Sequence, residues 1–226
     1  MPNATSRDEM GRAKINDLYG YFIDKYGGVD TPTFQKARLN FIQSMAAYSV
    51  ACYILQIKDR HNGNIMIDGE GHIVHIDFGF LFDIDKSAQP SKSNSESLPL
   101  LLSIILRPGG VKFEPNSFKL NHEMVALMGG RDSQGFRIFS ELTVKAFLAI
   151  RPYADQLVDT VHLMLGTGLP SFKGEPTIKR LRDRFQLQLS EQGAADYMVG
   201  VIKNANENYR SVVYDEFQRL QNGIPY

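Results

Sequence analysis

The segment Ile57–Gly79, IKDRHNGNIMIDGEGHIVHIDFG, constrains this chain more than any other. In 23 residues it holds three aspartates, two asparagines and three histidines beside apolar residues that alternate. NIMID and HIVHID are short alternating runs, and Asp68-Gly69-Glu70-Gly71 between them is a strong turn signal, so the two runs read as a β-hairpin. An alternating hairpin needs a core against one face. Its polar ends are therefore expected on packed structure.

The rest reads mostly as helix. Residues 1–30 read as a leading segment with one helix, Ile15 to Tyr26, closed by Gly27-Gly28. Thr31 can cap and Pro32 fits a first helical turn, so a long helix is predicted to about Ile57. Phe34, Ala37, Phe41, Met45, Tyr48 and Cys52 share its apolar face. Phe41–Ile57 is apolar, but Gln43, Ser44, Ser49 and Gln56 interrupt it, which suits a buried core helix better than a membrane span. From Gly79 to about Leu120 the chain reads as irregular. Helices are then predicted over Glu123–Met128, Gln134–Ile150 (broken at Arg151-Pro152), Tyr153–Leu165, Ile178–Phe185, Glu191–Asn206 and Arg210–Asn222. The fold class is α+β and mostly helical, with one short hairpin carrying the polar residues.

Composition is that of an ordinary globular chain, 43% hydrophobic and 22% charged. Twenty-five basic residues balance 25 acidic ones, so bulk charge points to no nucleic-acid or membrane partner, and any such attraction must come from a local patch. The first 14 residues hold no apolar run of a signal peptide. Cys52, the one cysteine, is read as a buried thiol. His72, His122 and His162 have no neighbours at metal-ligand spacing and are read as structural.

The polar residues have a chemical reason to be crowded. Asn64 follows Asp59 by five residues and Asp77 follows Asn64 by 13. Protein kinases place an Asp and an Asn at that five-residue spacing, and a later Asp-Phe-Gly supplies a second metal-binding Asp. Transfer of a γ-phosphoryl group is largely positioning and electrostatic stabilisation by Mg²⁺, which prefers carboxylate, amide and phosphate oxygens. Asn64 and Asp77 can supply such oxygens. Asp59 or His61 can take the proton of the attacking hydroxyl, and Gly63 allows a tight turn between them. An unperturbed histidine titrates near pH ~6.5 and an aspartate near ~3.9, which favours His61 as the base, with Asp59 orienting the loop.

Protein kinases read His-Arg-Asp, whereas this chain reads Asp59-Arg60-His61. That inverted order, followed by HIDFG, resembles the phosphatidylinositol 3-/4-kinase superfamily. PNATSRDEMG, FIQSMAAYSV, HEMVALMGG, AIRPYADQLVDTVHLMLGTGLP and QNGIPY extend the resemblance to the C-terminal catalytic lobe of type III alpha phosphatidylinositol 4-kinases. The resemblance covers nearly the whole chain except residues near 86–108. It implies the C-terminal lobe of a protein-kinase-like fold, using ATP with Mg²⁺ (or Mn²⁺) to phosphorylate the inositol 4-hydroxyl of phosphatidylinositol in a membrane. Carried onto this chain, Asp59 and His61 are catalytic and Asn64 and Asp77 are metal ligands. Lys58, Arg60, Asn62 and Gly63 complete the catalytic loop, and Phe78, Gly79 and Phe80 open the activation loop at about 80–120. The implied partners are the lipid, scaffold proteins of a membrane-recruited complex, and the amino-terminal lobe and helical regions of a parent enzyme. The implied location is cytoplasmic and peripheral, at the plasma membrane.

Two departures shape the expectations. Only 58 residues precede Asp59, and none of Lys14, Lys25, Lys36 or Lys58 sits on a credible strand. The chain is therefore expected to be one lobe of a larger enzyme, inactive when isolated. The loop from Gly79 to Leu120 is longer than the family's, with an atypical segment near 86–108, and unstructured loops beyond ~12–15 residues are uncommon. A bilayer-touching insertion and translated non-coding sequence both account for it. Lys86, Lys92, Arg107, Lys112 and Lys119 are scattered in the loop, which fits an unphosphorylated headgroup. IKRLRDRF is read as a solvated basic face or a membrane-surface element, and the last helix as packed on the lobe or meeting membrane. A related Ser/Thr protein kinase and a non-catalytic docking module are the competing functions.

Overall fold

The computed structural model describes residues 3–15, 17–82, 117–168, 172 and 174–207. Strand β1 (Thr5–Ser6) runs into helix α1 (Arg7–Arg12), and α2 (Leu18–Tyr26) and α3 (Pro32–Leu55) follow. A 3₁₀ turn at Asn62–Asn64 leads into the hairpin, β2 (Ile65–Ile67) and β3 (Ile73–His75). After the activation segment come α4 (His122–Leu127), α5 (Gln134–Ile150), α6 (Ala154–Leu163), α7 (Glu175–Arg184) and α8 (Glu191–Glu207).

Helix α3 starts where Thr31 accepts a hydrogen bond from the Phe34 N–H, with Pro32 in the first turn. It buries residues around most of its circumference, among them Phe34, Phe41, Ile42, Met45, Val50 and Tyr53. A helix apolar on so much of its surface belongs inside a protein. Helix α5 packs along it, α2 and α7 add further cover, and β3 lies on it from the sheet side. No helix among the described residues is long and apolar enough to cross a membrane.

The hairpin forms as its alternation predicts. Ile65, Ile67, Ile73 and His75 are buried on one face. Ile65 pairs with His75 and Ile67 with Ile73. The Ile73 N–H donates to Ser44 Oγ of α3 at 3.0 Å, which fixes the hairpin to the helix. In the turn, Asp68 Oδ1 accepts from the N–H groups of Glu70 and His72, and Oδ2 lies 2.9 Å from His72 Nδ1. Burial works against the Asp68 carboxylate, but the backbone donors and the His72 ring outweigh it and hold its pKa below the usual value.

Several expectations need correction. The leading segment holds a strand and two helices instead of one helix. Thr5–Ser6 pairs with Ile67–Met66, which makes the sheet three-stranded in the order β1-β2-β3. The second helix starts at Leu18 instead of Ile15, because Asp17 caps it by accepting from Gly20 N–H at 2.6 Å. By contrast, the predicted break at Arg151-Pro152 is present: α5 ends at Ile150, and residues 151–153 form a 3₁₀ turn with Pro152 near its start before α6 begins at Ala154. This is because proline is tolerated where its missing N–H would have no helical partner. Helix α7 begins at Glu175, three residues before Ile178, with Pro176 in its first turn. Tyr48 is half-buried, packs against the core and stacks on His75. The expected insertion near 86–108 and the last helix, Arg210–Asn222, lie outside the described residues.

Gly71 has φ +93°, and a Cβ there would meet Ala37 O of α3 at 2.8 Å. Both backbone strain and the clash oppose a side chain. We expect Gly71→Ala to lower unfolding stability by about 2 kcal/mol or more, read as the shift of a denaturant midpoint at unchanged slope. A wild-type midpoint would mean that the hairpin can lift from α3 at no cost.

Candidate active site

The site is built where α3 ends and the hairpin returns. Gln56 ends α3 in the left-handed conformation, φ +50°, and the Ile57 N–H donates to Cys52 O at 3.3 Å. Beyond it the chain pairs with the segment after β3. The Lys58 N–H donates to Phe80 O at 3.0 Å and the Phe82 N–H to Leu55 O at 2.9 Å. The catalytic loop and the start of the activation segment are thus laid side by side.

Arg60 joins them from inside. Its side chain is buried, 1% exposed. Nε donates to Lys58 O at 3.0 Å, Nη1 to Ile76 O at 2.8 Å, and Nη2 to Asp77 O. A planar fork of donors is suited to several carbonyls at once. Its guanidinium also lies 5.7 Å from the centre of the Phe78 ring, which is 46% exposed.

The turn at Asn62–Asn64 presents the loop's functional groups. The His61 ring caps it: the Gly63 N–H donates to His61 Nδ1 at 3.0 Å. A Cβ on Gly63 would come within 3.0 Å of His61 Cε1, so this position keeps room for the imidazole. The Asn64 N–H donates to His61 O, and the Ile76 N–H donates to Asn64 O at 3.1 Å. That second bond sets Asp77 one residue along from the backbone partner of Asn64. Asn64 is buried, and its Nδ2 donates to Asp59 O at 2.9 Å, so its amide oxygen is the atom that could ligate a cation. Asp77 is exposed, has φ +57°, and its Oδ1 accepts from the Gly79 N–H at 3.1 Å. Asp59 also has positive φ, +66°.

The structure therefore brings together all eleven residues singled out from the sequence, Lys58 through Asn64 and Asp77 through Phe80. Among the described residues, no group of three or more His, Cys, Asp or Glu side chains could hold a metal ion. The oxygen pair of Asn64 and Asp77 instead fits Mg²⁺ binding of the kind that uses one or two protein oxygens plus substrate phosphates. In the neutral His61 ring, the proton sits on Nε2 while Nδ1 accepts from Gly63.

The sequence reading missed part of the site's support. His75 lies beneath it, 4% exposed and stacked on Tyr48 at 4.4 Å, with Nδ1 3.5 Å from Cys52 Sγ. Burial, with the positive charges of Arg60 and Lys119, pushes its pKa down to about 3, so the ring is neutral. Arg7 and Glu123 form a buried bidentate pair, with Nε and Nη2 each 2.9 Å from a carboxylate oxygen. That pair ties α1 to α4 behind Asn62. Ser6 and Glu9 form a capping box at the start of α1, a signal present in the sequence.

The loop carrying Asp59, His61 and Asn64 thus lies beside the Asp77-Phe78-Gly79 segment that follows the hairpin. A family model for phosphatidylinositol 3- and 4-kinases matches residues 2–174. The chain belongs to that family. It is 51% identical over 227 residues to phosphatidylinositol 4-kinase stt4 of Schizosaccharomyces pombe, covering 100% of this chain and 11% of that protein. It is 48% identical to STT4 of Saccharomyces cerevisiae, again over 100% of this chain and 11% of that protein. Against the human putative phosphatidylinositol 4-kinase alpha-like protein P2 the identity is 44%, over 100% of this chain and 35% of that protein. The chain thus spans about a tenth of the two yeast proteins.

Arg60 gives the sharpest structural test. Arg60→Lys keeps a charge but cannot reach three carbonyls in three directions, and buried polar groups without partners cost ~1–3 kcal/mol each. We expect a stability loss of about 3 kcal/mol, measured by chemical denaturation. A loss within ~0.5 kcal/mol would show that the loop stands without the clamp.

Proposed function

We propose that this chain is the catalytic lobe of a phosphatidylinositol 4-kinase, moving the γ-phosphoryl group of ATP to the inositol 4-hydroxyl of phosphatidylinositol. The observation that carries this is the Arg60-clamped junction of the Asp59–Asn64 loop with Asp77, in a chain of the phosphatidylinositol 3- and 4-kinase family. The relatives named above as phosphatidylinositol 4-kinases support the position of the hydroxyl. The mostly helical body with its small sheet corresponds to the C-terminal lobe of a protein-kinase-like fold. The lobe that covers ATP, with its phosphate loop and lysine, is supplied by another part of the polypeptide.

In the reaction the inositol oxygen bonds to the γ-phosphorus. The bond to the bridging oxygen breaks, ADP leaves, and the hydroxyl proton goes to the enzyme. Asn64 and Asp77 would hold Mg²⁺, which neutralises charge on the phosphates. The proton path runs through Asp59 and His61. His61 must release the Gly63 N–H before its ring can accept at Nε2 while keeping a proton on Nδ1, whereas Asp59 can accept directly. Phosphatidylinositol is met at the cytoplasmic face of the plasma membrane, with the enzyme recruited as a peripheral protein by scaffold partners.

Two substitutions test this in the chain joined to its ATP-covering lobe. Asp77→Ala should abolish lipid phosphorylation, a loss of roughly 10²–10³-fold or more, with the circular dichroism spectrum unchanged. Near-normal turnover by a folded Asp77→Ala protein would remove Asp77 from the metal site, and absence of turnover in the unsubstituted protein would turn the assignment toward a non-catalytic docking module. His61→Gln should lower kcat by at least about 10²-fold with ATP affinity unchanged. A retained rate would move the base to Asp59.

A further inference from the structure

Lys119, just after the activation segment, is 4% exposed. Lysine is almost never fully buried unless paired, because taking an ammonium out of water costs several kcal/mol. Its Nζ donates to Asn62 Oδ1 at 3.0 Å. Asn62 is the first residue of the 3₁₀ turn, one step after His61 and two before Asn64. The Ile76 N–H holds the far end of that turn at Asn64 O, and Lys119 holds the near end.

The lysine itself is firmly seated. Phe118 and Leu120 on either side are each 2% exposed. Four residues on, Glu123 is fixed by the bidentate bond to Arg7. A long flexible side chain whose backbone is pinned on both sides acts as a strut of set length. We propose that Lys119 is a positioning residue for the transfer step: through Asn62 it holds the His61–Asn64 turn in its reactive orientation. The inference rests on the kinase reading above.

Stability and catalysis can be separated here. Asn62 is only half-buried, so water can replace the ammonium at its oxygen and the stability cost of Lys119→Met is small. A loss of rate without a loss of stability therefore marks positioning. The experiment uses the chain joined to its ATP-covering lobe, with phosphatidylinositol vesicles as substrate, and compares Lys119→Met, Lys119→Arg, Asn62→Ala and the Lys119→Met/Asn62→Ala double variant. Lys119→Met should lower kcat ~10- to 100-fold, the scale of a misplaced reacting group, with the KM for ATP and the melting temperature unchanged. Lys119→Arg should recover most of the rate. The double variant should be no slower than the slower single one, since both remove one bond.

A wild-type kcat for Lys119→Met overturns the proposal. So does a fall in rate that tracks a fall in melting temperature and that arginine does not repair. If Lys119→Met does not fold, Asn62→Ala decides: a comparable fall in kcat at an unchanged melting temperature upholds the role, and a wild-type kcat or a fall that tracks the melting temperature removes it. Asp77→Ala is assayed alongside. Absence of turnover in the unsubstituted protein sinks the kinase reading itself, whereas a dead Asp77→Ala beside a fully active Lys119→Met sinks only the role of Lys119.

Discussion

The buried guanidinium of Arg60 is the interaction on which the rest of the site depends. Three carbonyls from two strands of chain, at Lys58, Ile76 and Asp77, converge on one side chain. Carbonyls left inside a protein without donors are costly. Here those carbonyls are also the ones whose direction sets where the loop and Asp77 lie. A lysine would supply charge without the geometry, and an apolar residue would supply neither. Next to this cation, His75 is held neutral, so the layer under the site carries positive charge only from Arg60 and Lys119 among the groups that shift it. Such a floor suits a site whose upper surface gathers carboxylates and phosphates.

The backbone around the clamp is strained in a concentrated way. Of the six non-glycine residues with positive φ among those described, four lie between Gln56 and Phe82: Gln56, Asp59, Asp77 and Phe82. Aspartate tolerates this region better than most residues, but glutamine and phenylalanine do so at greater cost. Conformations of this kind cost of order 1–3 kcal/mol each and persist only where the surroundings over-determine them. The surroundings here are identifiable. Gln56 Nε2 donates to Tyr53 O, the Phe82 N–H donates to Leu55 O, and Arg60 holds Asp77 through its carbonyl. Phe82 is buried and meets Phe172 at 5.5 Å. The packed core around α3 therefore supports two aspartates, Asp59 and Asp77, in left-handed backbone conformations.

How much of this was legible depends on where each bond ends. Helix α3 and the hairpin were readable because burial imposes periodicity on side chains, and Phe34 through Cys52 and Ile65 through His75 show it. The Asp59, Asn64 and Asp77 spacing was readable because phosphoryl transfer needs those atoms together. Strand β1 was not, since two residues carry no alternation, although Ser6 and Glu9 did announce the helix behind it. The work of Arg60 was hidden because its partners are backbone carbonyls, one of them 17 residues away, and a carbonyl has no letter in the sequence. Lys119 was hidden for a related reason. In the sequence it is one of several scattered cations in a long loop, and only the fold shows that it turns inward to Asn62.

These bonds also explain why the catalytic loop carries His61, Asn62, Gly63 and Asn64 in succession. A 3₁₀ turn of three residues leaves its first N–H groups and last carbonyls without internal partners. His61 caps one N–H with its own ring, and that requires a residue without a Cβ at Gly63. Asn64 turns its amide nitrogen back to Asp59 O, which commits that end of the amide to the loop. Asn62 offers its oxygen to Lys119 and so ties the turn to the chain beyond the activation segment. Each side chain therefore does two jobs, one closing the turn and one facing the chemistry or its support. Replacement of any one of them changes both at once, and for that reason a rate measured alone on a loop variant says little about role. The discriminating quantity is the rate set against stability.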